Sequence, residues 1–294
     1  MKLRYAIPAL AAAAALTLSG CTNNDEGDSY TPYGISGVAV DEAAAALLPA
    51  EVAESGKLVI GINAEYAPNE FKNGQGEIVG WGVDLVSAIA LKLGLEPSLQ
   101  DEGFDLIIPK VNGGTMDLGS SSFTIREDRL ESVDFVSYYE AGVLWAAPLG
   151  EEVDPNNACG LKVAVQATTF QHTDELPEKS AACEAEGKDA IEILAYDTQA
   201  EATNAVAQGK ADAMTADSPI TLFAISKRAD KIGPSGEAFD VAPYGYPIAK
   251  GSELAPAIQA ALQSLMDDGT YQAILEHAGV QEGGIAKAEL VTAG

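Results

Sequence analysis

This sequence predicts an α/β fold with a mostly parallel sheet, and three observations carry the prediction. Short β-rich runs alternate with amphipathic helical stretches from Lys57 onward, as expected of strands joined by crossover helices. The rhythm recurs in the second half, so the chain reads as two α/β units with a break near Ala147-Pro148-Leu149-Gly150. At 294 residues and 47% hydrophobic, the chain is long and apolar enough to bury a large core.

The N-terminus stands apart from that rhythm. Lys2 and Arg4 precede a short apolar run, Ala9 to Leu18, too short to span a bilayer as a helix. Residues 1–20 therefore read as a signal peptide. Leu18-Ser19-Gly20-Cys21 resembles the lipobox of bacterial lipoproteins, where the chain is cut before the cysteine and its thiol takes a diacylglycerol. The resemblance implies lipidation of Cys21 and a soluble domain tethered to the outer face of the cytoplasmic membrane. Ordinary cleavage beside a bystander cysteine is the alternative. Within 21–55, the polar stretch 22–37 reads as a flexible spacer. Asp41–Glu54 follows as a helix or helix pair broken at Pro49.

The first unit opens with KLVIGIN, a strand at Lys57–Asn63. GWGVDLVSAIALKLGL spaces Val83, Leu85, Val86, Ile89, Ala90 and Leu93 for one helical face, with Gly94 as a stop signal. FDLIIPKVNGGTMDLGSSS gives a short helix or turn, then a strand near Met116 to Gly119. VDFVSYYEAGVLWAAP is a strand entering a connection. In the second unit Lys162–Gln166 is a strand, followed by small polar residues where a helix begins, and AIEILAY is another strand. TQAEATNAVAQGKADAMTADSPITLFAI reads as helix, stop at Gly209, strand, loop and helix. The tail gives two helices separated by Asp267-Asp268-Gly269. Cys159 and Cys183 lie in an exported chain, so a disulfide is expected, contributing roughly 3 kcal/mol by loop closure. A metal site would need CxxC spacing or neighbouring histidines, so none is expected.

Lys plus Arg number 17 against 44 Asp plus Glu, a net charge of −27. Nucleic acid is excluded as a partner, because phosphate binding needs a basic stripe. No Gly-x-Ser-x-Gly elbow surrounds Ser120 to Ser122, and no HExxH, P-loop or dinucleotide loop occurs. No cofactor is expected. A binding site for a zwitterion makes other demands. An anion is held by an arginine fork with hydroxyl and N–H donors, and an ammonium by a carboxylate and carbonyls. Thr124 and Arg129 supply the first set, after a strand end that puts Ser121 and Ser122 at the sheet's carboxyl edge, where ligands of open α/β sheets bind. Asp217 ends a similar strand in the second unit and supplies the carboxylate. Each alone reads as a solvated loop residue; two strand edges offering opposite charges do not.

From Gly56 to the C-terminus the chain resembles the solute-binding proteins of polar amino-acid ABC importers, a type II periplasmic-binding-protein-like family. GKLVIGINAEYAPNEF, GEIVGWGVDLVSAIALKLGL, FDLIIPKVNGGTMDLGSSSFTIREDRLESVDF, CGLKVAVQATTF, GKADAMTAD and KGSELAPAIQAALQSLMDDGTYQAI carry the resemblance in order. It implies two α/β lobes joined by two crossing strands, with lobe 1 formed by 57–146 plus 243–294 and lobe 2 by 147–242. A ligand sits between lobes that close by a hinge. The resemblance implies that Arg129, five residues before Asp134, grips the ligand carboxylate, with Thr124 and Thr169 as donors. The Asp217 carboxylate and the Ser122 carbonyl meet the ammonium. Tyr66 and Phe104 flank the aliphatic part, and Asn63, Ser121 and Gln166 face the side chain. Arg126 falls where relatives often have Thr and is given no role. Thr168 stands where relatives usually have Gly.

Asn63 in place of a more usual Asp removes a carboxylate and Gln166 adds a neutral donor and acceptor, which favours a neutral polar or acidic amino acid such as glutamine or glutamate over arginine or lysine. Glu65 and Glu70 lie near in sequence and pull the other way. The expected partners are a free amino acid, an ABC permease, and the membrane through the lipid, with the protein itself a monomer. The rival readings are a ligand-sensing lipoprotein and a dehydratase-type enzyme on the same fold. No histidine falls among the matched positions to move a proton, so no catalytic residue is expected.

Overall fold

The computed structural model describes residues 30–293; the signal peptide and Cys21 lie outside them. α1 (Glu42–Ala45) and α2 (Ala50–Ser55) lead into β1 (Lys57–Ile62), then a small antiparallel sheet of β2 (Glu65–Tyr66), β3 (Glu70–Lys72) and β4 (Ile78–Val79). Next come α3 (Trp81–Lys92), β5 (Glu96–Asp101), α4 (Phe104–Asn112), β6 (Leu118–Gly119), β7 (Phe123–Thr124), α5 (Glu127–Leu130) and the long β8 (Val133–Pro148). The second half gives β9 (Lys162–Gln166), a π-turn at Gln171–Glu175 running into α6 (Leu176–Ala185), β10 (Glu192–Tyr196), α7 (Gln199–Ala207), β11 (Ala213–Asp217) and α8 (Ser218–Lys227). A second long strand, β12 (Ile232–Ala249), precedes α9 (Ala255–Asp267), α10 (Thr270–Ala278) and β13 (Leu290–Val291).

The large sheet runs β10-β9-β11-β8-β12-β6-β1-β5. β8 and β12 are its antiparallel centre, paired from Val133 opposite Ala249 to Pro148 opposite Ile232. Parallel β6, β1 and β5 extend one side, and β11, β9 and β10 the other. Each side has its own core. Leu58, Ile60, Trp81, Ile89, Ile258 and Leu262 belong to one; Trp145, Val163, Val165 and Leu176 belong to a core on the other side. The molecule is thus two-lobed, and β12 shifts register against β8 at Ser235/Phe239, Phe239/Ala242 and Tyr244/Gly245.

Two readings of the sequence need correction. The chain does not divide at 147–150 into consecutive units. β8 runs through Pro148 still paired, and α9 returns to pack on α3, because the apolar face of α9, with Ile258, Ala261 and Leu265, needs the first core. Nor is the spacer free up to residue 37. Tyr30, Tyr33, Ile35 and Val38 pack against lobe 1. The Tyr30 hydroxyl and the Tyr33 N–H both donate to Asp84, and His277 Nε2 lies 2.6 Å from the Thr31 carbonyl oxygen. The aromatic rings bury apolar area and satisfy a carboxylate that burial has pushed above its ordinary range. Smaller differences are that β6 starts only at Leu118 and that no loop separates β11 from α8, Asp217 being the N-cap. Cys159 and Cys183 form a disulfide tying the loop before β9 to α6. Among the described residues no helix is long and apolar enough to cross a membrane.

Candidate functional site

A narrow cleft with about 10 Å³ of free space lies at the carboxyl ends of the strands, between the lobes. Asn63, Tyr66, Phe104, Ser121, Ser122, Thr124 and Arg129 line it from one lobe. Gln166, Thr169 and Asp217 line it from the other, with Phe170 and Gln171. All ten ligand positions inferred from the sequence thus face one cavity. The parallel strands explain this: β1, β9 and β11 point the same ends at the seam, so the residues just after them converge there.

The charged groups are buried and oriented. Arg129 is 8% exposed; its Nη1 donates to the Thr124 carbonyl at 2.9 Å, and its Nη2 crosses the seam to the Thr168 carbonyl at 3.4 Å. Its guanidinium lies 5.4 Å from the ring centres of both Phe104 and Phe123, which fixes the planar group without neutralising it. Burial pushes its pKa down to about 10, so it stays charged at neutral pH. Asp217 accepts at Oδ2 from the Tyr244 and Tyr66 hydroxyls at 2.6 and 2.9 Å, and at Oδ1 from Gln171 Nε2 at 2.7 Å. Burial raises its pKa, and those three donors oppose the rise.

The neutral side of the cleft is built from nested hydrogen bonds. Ser122 adopts a left-handed backbone, φ 51°. Asn69 Nδ2 donates to its Oγ at 2.9 Å, and that Oγ lies 3.0 Å from Glu70 Oε2. Trp81 Nε1 holds the Asn69 amide at 2.7 Å. Glu70 is fully buried behind Ser122, and burial raises its pKa well above the ordinary range. Across the seam Gln166 Nε2 donates to Asn63 Oδ1 at 3.1 Å, while Asn63 Nδ2 donates to the Glu102 carbonyl at 3.0 Å. Thr169 Oγ1 donates to the Gln166 carbonyl at 2.8 Å, shaping the turn into the π-helical segment. Thr168 sits at φ 62°, the left-handed region, which explains physically why glycine suits that position.

Four functional neighbours escaped the sequence reading: Gln171 and Tyr244, which hold Asp217, and Glu70 with Asn69, which hold Ser122. Tyr244 had a faint signal, a tyrosine amid the small and proline residues of PYGYP. Gln171 had none, because its reach depends on a π-turn. Among the described residues no group of His, Cys, Asp and Glu is arranged to hold a metal.

Known proteins share this architecture. The arginine-binding protein ArgT of Corynebacterium glutamicum is 42% identical over 275 residues, 92% of this chain and 90% of its own length. The ABC transporter glutamine-binding protein GlnH of Bacillus subtilis is 30% identical over 236 residues, 76% of this chain and 82% of its own. A solved ancestral arginine-binding protein bound to arginine superposes with a TM-score of 0.69 at 30% identity, covering 75% of this chain and 97% of that one. Residues 58–280, which contain every residue lining the cleft, match the family described as bacterial extracellular solute-binding proteins, family 3, and this chain belongs to that family.

Proposed function

We propose that this protein captures free L-arginine, and more weakly L-glutamine, outside the cytoplasm and delivers it to an ABC permease. One observation carries the reading: Arg129 and Asp217, opposite charges from the two lobes, line a single buried cleft walled by Tyr66 and Phe104. In this reading Arg129, Thr124 and Thr169 hold the carboxylate, and Asp217 with the Ser122 carbonyl holds the ammonium. Tyr66 and Phe104 flank the aliphatic chain. Asn63, Gln166 and Ser121 meet its far end. Lobe 1 is built on 57–146 plus 243–294 and lobe 2 on 147–242, with the end of β8 from Val143 packing into the lobe 2 core.

The far end chooses the ligand class. The Asn63–Gln166 pair offers amide oxygens to N–H donors and no positive group to a carboxylate. A net charge of −27 adds a field that favours a cationic side chain over an anionic one. Arginine and glutamine, the ligands named for ArgT and GlnH, both end in planar N–H groups. The choice drops glutamate from the sequence-based expectation and restores arginine. In this reading the protein binds without catalysing a reaction, and Asp217, engaged by three donors, serves to hold the ammonium. It acts as a monomer, tethered by a lipid on Cys21 to the outer face of the membrane.

Isothermal calorimetry with the twenty amino acids is expected to give tight binding of L-arginine, weaker binding of L-glutamine and none of L-glutamate. Arg129→Ala should weaken binding more than about 100-fold, the cost of an unpaired buried carboxylate, with an unchanged circular dichroism spectrum. Silence across all twenty ligands would sink the reading.

A further inference from the structure

Arg126 stands on the seam between the lobes. Its Nη2 donates to Asp128 Oδ2 on its own lobe at 2.8 Å. Its Nη1 reaches the other lobe, donating to Thr173 Oγ1 at 3.0 Å and to Asp174 Oδ2. The position is specific. Arg126 is the N-cap of α5, three residues before Arg129, and Thr173 lies one turn past Thr169, to whose carbonyl its hydroxyl is hydrogen-bonded at 3.0 Å. The bridge therefore crosses the cleft rim at the end where Arg129 reaches the Thr168 carbonyl.

Two other polar contacts across the seam differ in kind. Gln166–Asn63 and Tyr66–Asp217 join groups that line the cleft, so an entering ligand competes for them. Arg126, Thr173 and Asp174 do not line it. Their contact can be kept with the cleft full, and it exists only when the lobes are together.

We infer that Arg126 is a positioning residue that latches the closed lobes through Asp174 and slows ligand release without touching the ligand. This rests on the amino-acid-binding reading above. The Arg126 side chain is 13% exposed while that of Asp174 is 48% exposed, so the bridge is only partly shielded and its effect is modest: a roughly three- to ten-fold change in release rate. Arg126 also places a second positive charge near Arg129. Removing it therefore alters the field met by an arriving carboxylate as well as the latch. Asp174→Asn separates the two, because it keeps that charge and removes the anchor.

The test is stopped-flow kinetics with L-arginine on the wild type, Arg126→Ala, Asp174→Asn and the double variant. Both single variants should release the ligand about three- to ten-fold faster. Association should slow only in Arg126→Ala. The double variant should release no faster than Arg126→Ala alone, and high salt should narrow the gap to wild type. Unchanged release, or strictly additive effects, overturns the latch. If the wild type does not bind L-arginine, the substrate reading fails instead, and the latch is then read from ligand-free protein by small-angle scattering. There Arg126→Ala should have the larger radius of gyration, and superimposable profiles overturn the inference.

Discussion

Asp217 shows how one residue is set against stability for binding. It is a fully desolvated carboxylate whose three neutral donors only partly offset the loss of water. The ligand-free fold carries that cost, and a bound ammonium relieves it. Asp217→Asn keeps the shape and acceptor oxygen but removes the charge. It is expected to raise the ligand-free melting temperature and to weaken L-arginine binding at least about 100-fold, opposite signs in one variant. Thermal scans and calorimetry on the same preparation check it; a variant that loses both stability and affinity would show that the charge is not the cause. Arg129 makes the complementary case, since its two phenylalanine neighbours hold the guanidinium plane in a way lysine cannot reproduce.

Among the elements, the turn Ala167-Thr168-Thr169 between β9 and the π-turn carries backbone strain. Thr168 is β-branched yet sits at φ 62°, where such side chains clash with their own backbone. Three contacts hold it there: its N–H donates to His172 Nδ1 at 3.1 Å, its hydroxyl to the Ala167 carbonyl at 2.7 Å, and its carbonyl accepts from Arg129. Thr168→Gly should therefore stabilise the protein by up to about 1 kcal/mol, the relieved strain less the greater freedom of unfolded glycine. Urea denaturation measures it, and a destabilised variant would mean the threonine contacts outweigh the strain. Gly80 shows the reverse limit. At φ 133°, a Cβ there would lie 2.1 Å from the Asn69 carbonyl oxygen, so the entry into α3 depends on glycine.

For the whole molecule, acidity and burial combine into a pH dependence. Glu175 lies in the core of lobe 2, accepting from Trp145 Nε1 at 2.7 Å and Thr215 Oγ1 at 2.8 Å. Burial pushes its pKa up from 4.5 to about 7. Between those values the folded chain keeps a proton that the unfolded chain releases, so stability falls as pH rises through that window and is recovered below it. The loss from this group is about 3 kcal/mol at most; Glu70, Asp84, Asp117 and Asp217 shift the same way. Glu175→Gln should flatten the decline in ligand-free melting temperature from about pH 5 to about pH 8. A slope equal to wild type would show that Glu175 does not titrate in this window.

Local pattern determined a good deal of this protein. The apolar run of β1, the helical spacing of α3 and the paired tail helices are each written in consecutive residues, because period and stop signals act over a few positions. The cleft residues were legible through motifs in series, and several of them, such as Asn63, Gln166 and Asp217, sit at or just past a strand end that can be read. The tertiary structure alone decided which distant pieces meet. Tyr244 reaches Asp217, Glu70 supports Ser122, Tyr30 docks on Asp84, and Arg126 spans to Asp174. These are long-range hydrogen bonds between polar side chains that look solvated in isolation, and no periodicity announces them. The Tyr244 and Arg126 contacts are set by how β8 and β12 cross between lobes, which brings together surfaces that lie far apart along the chain.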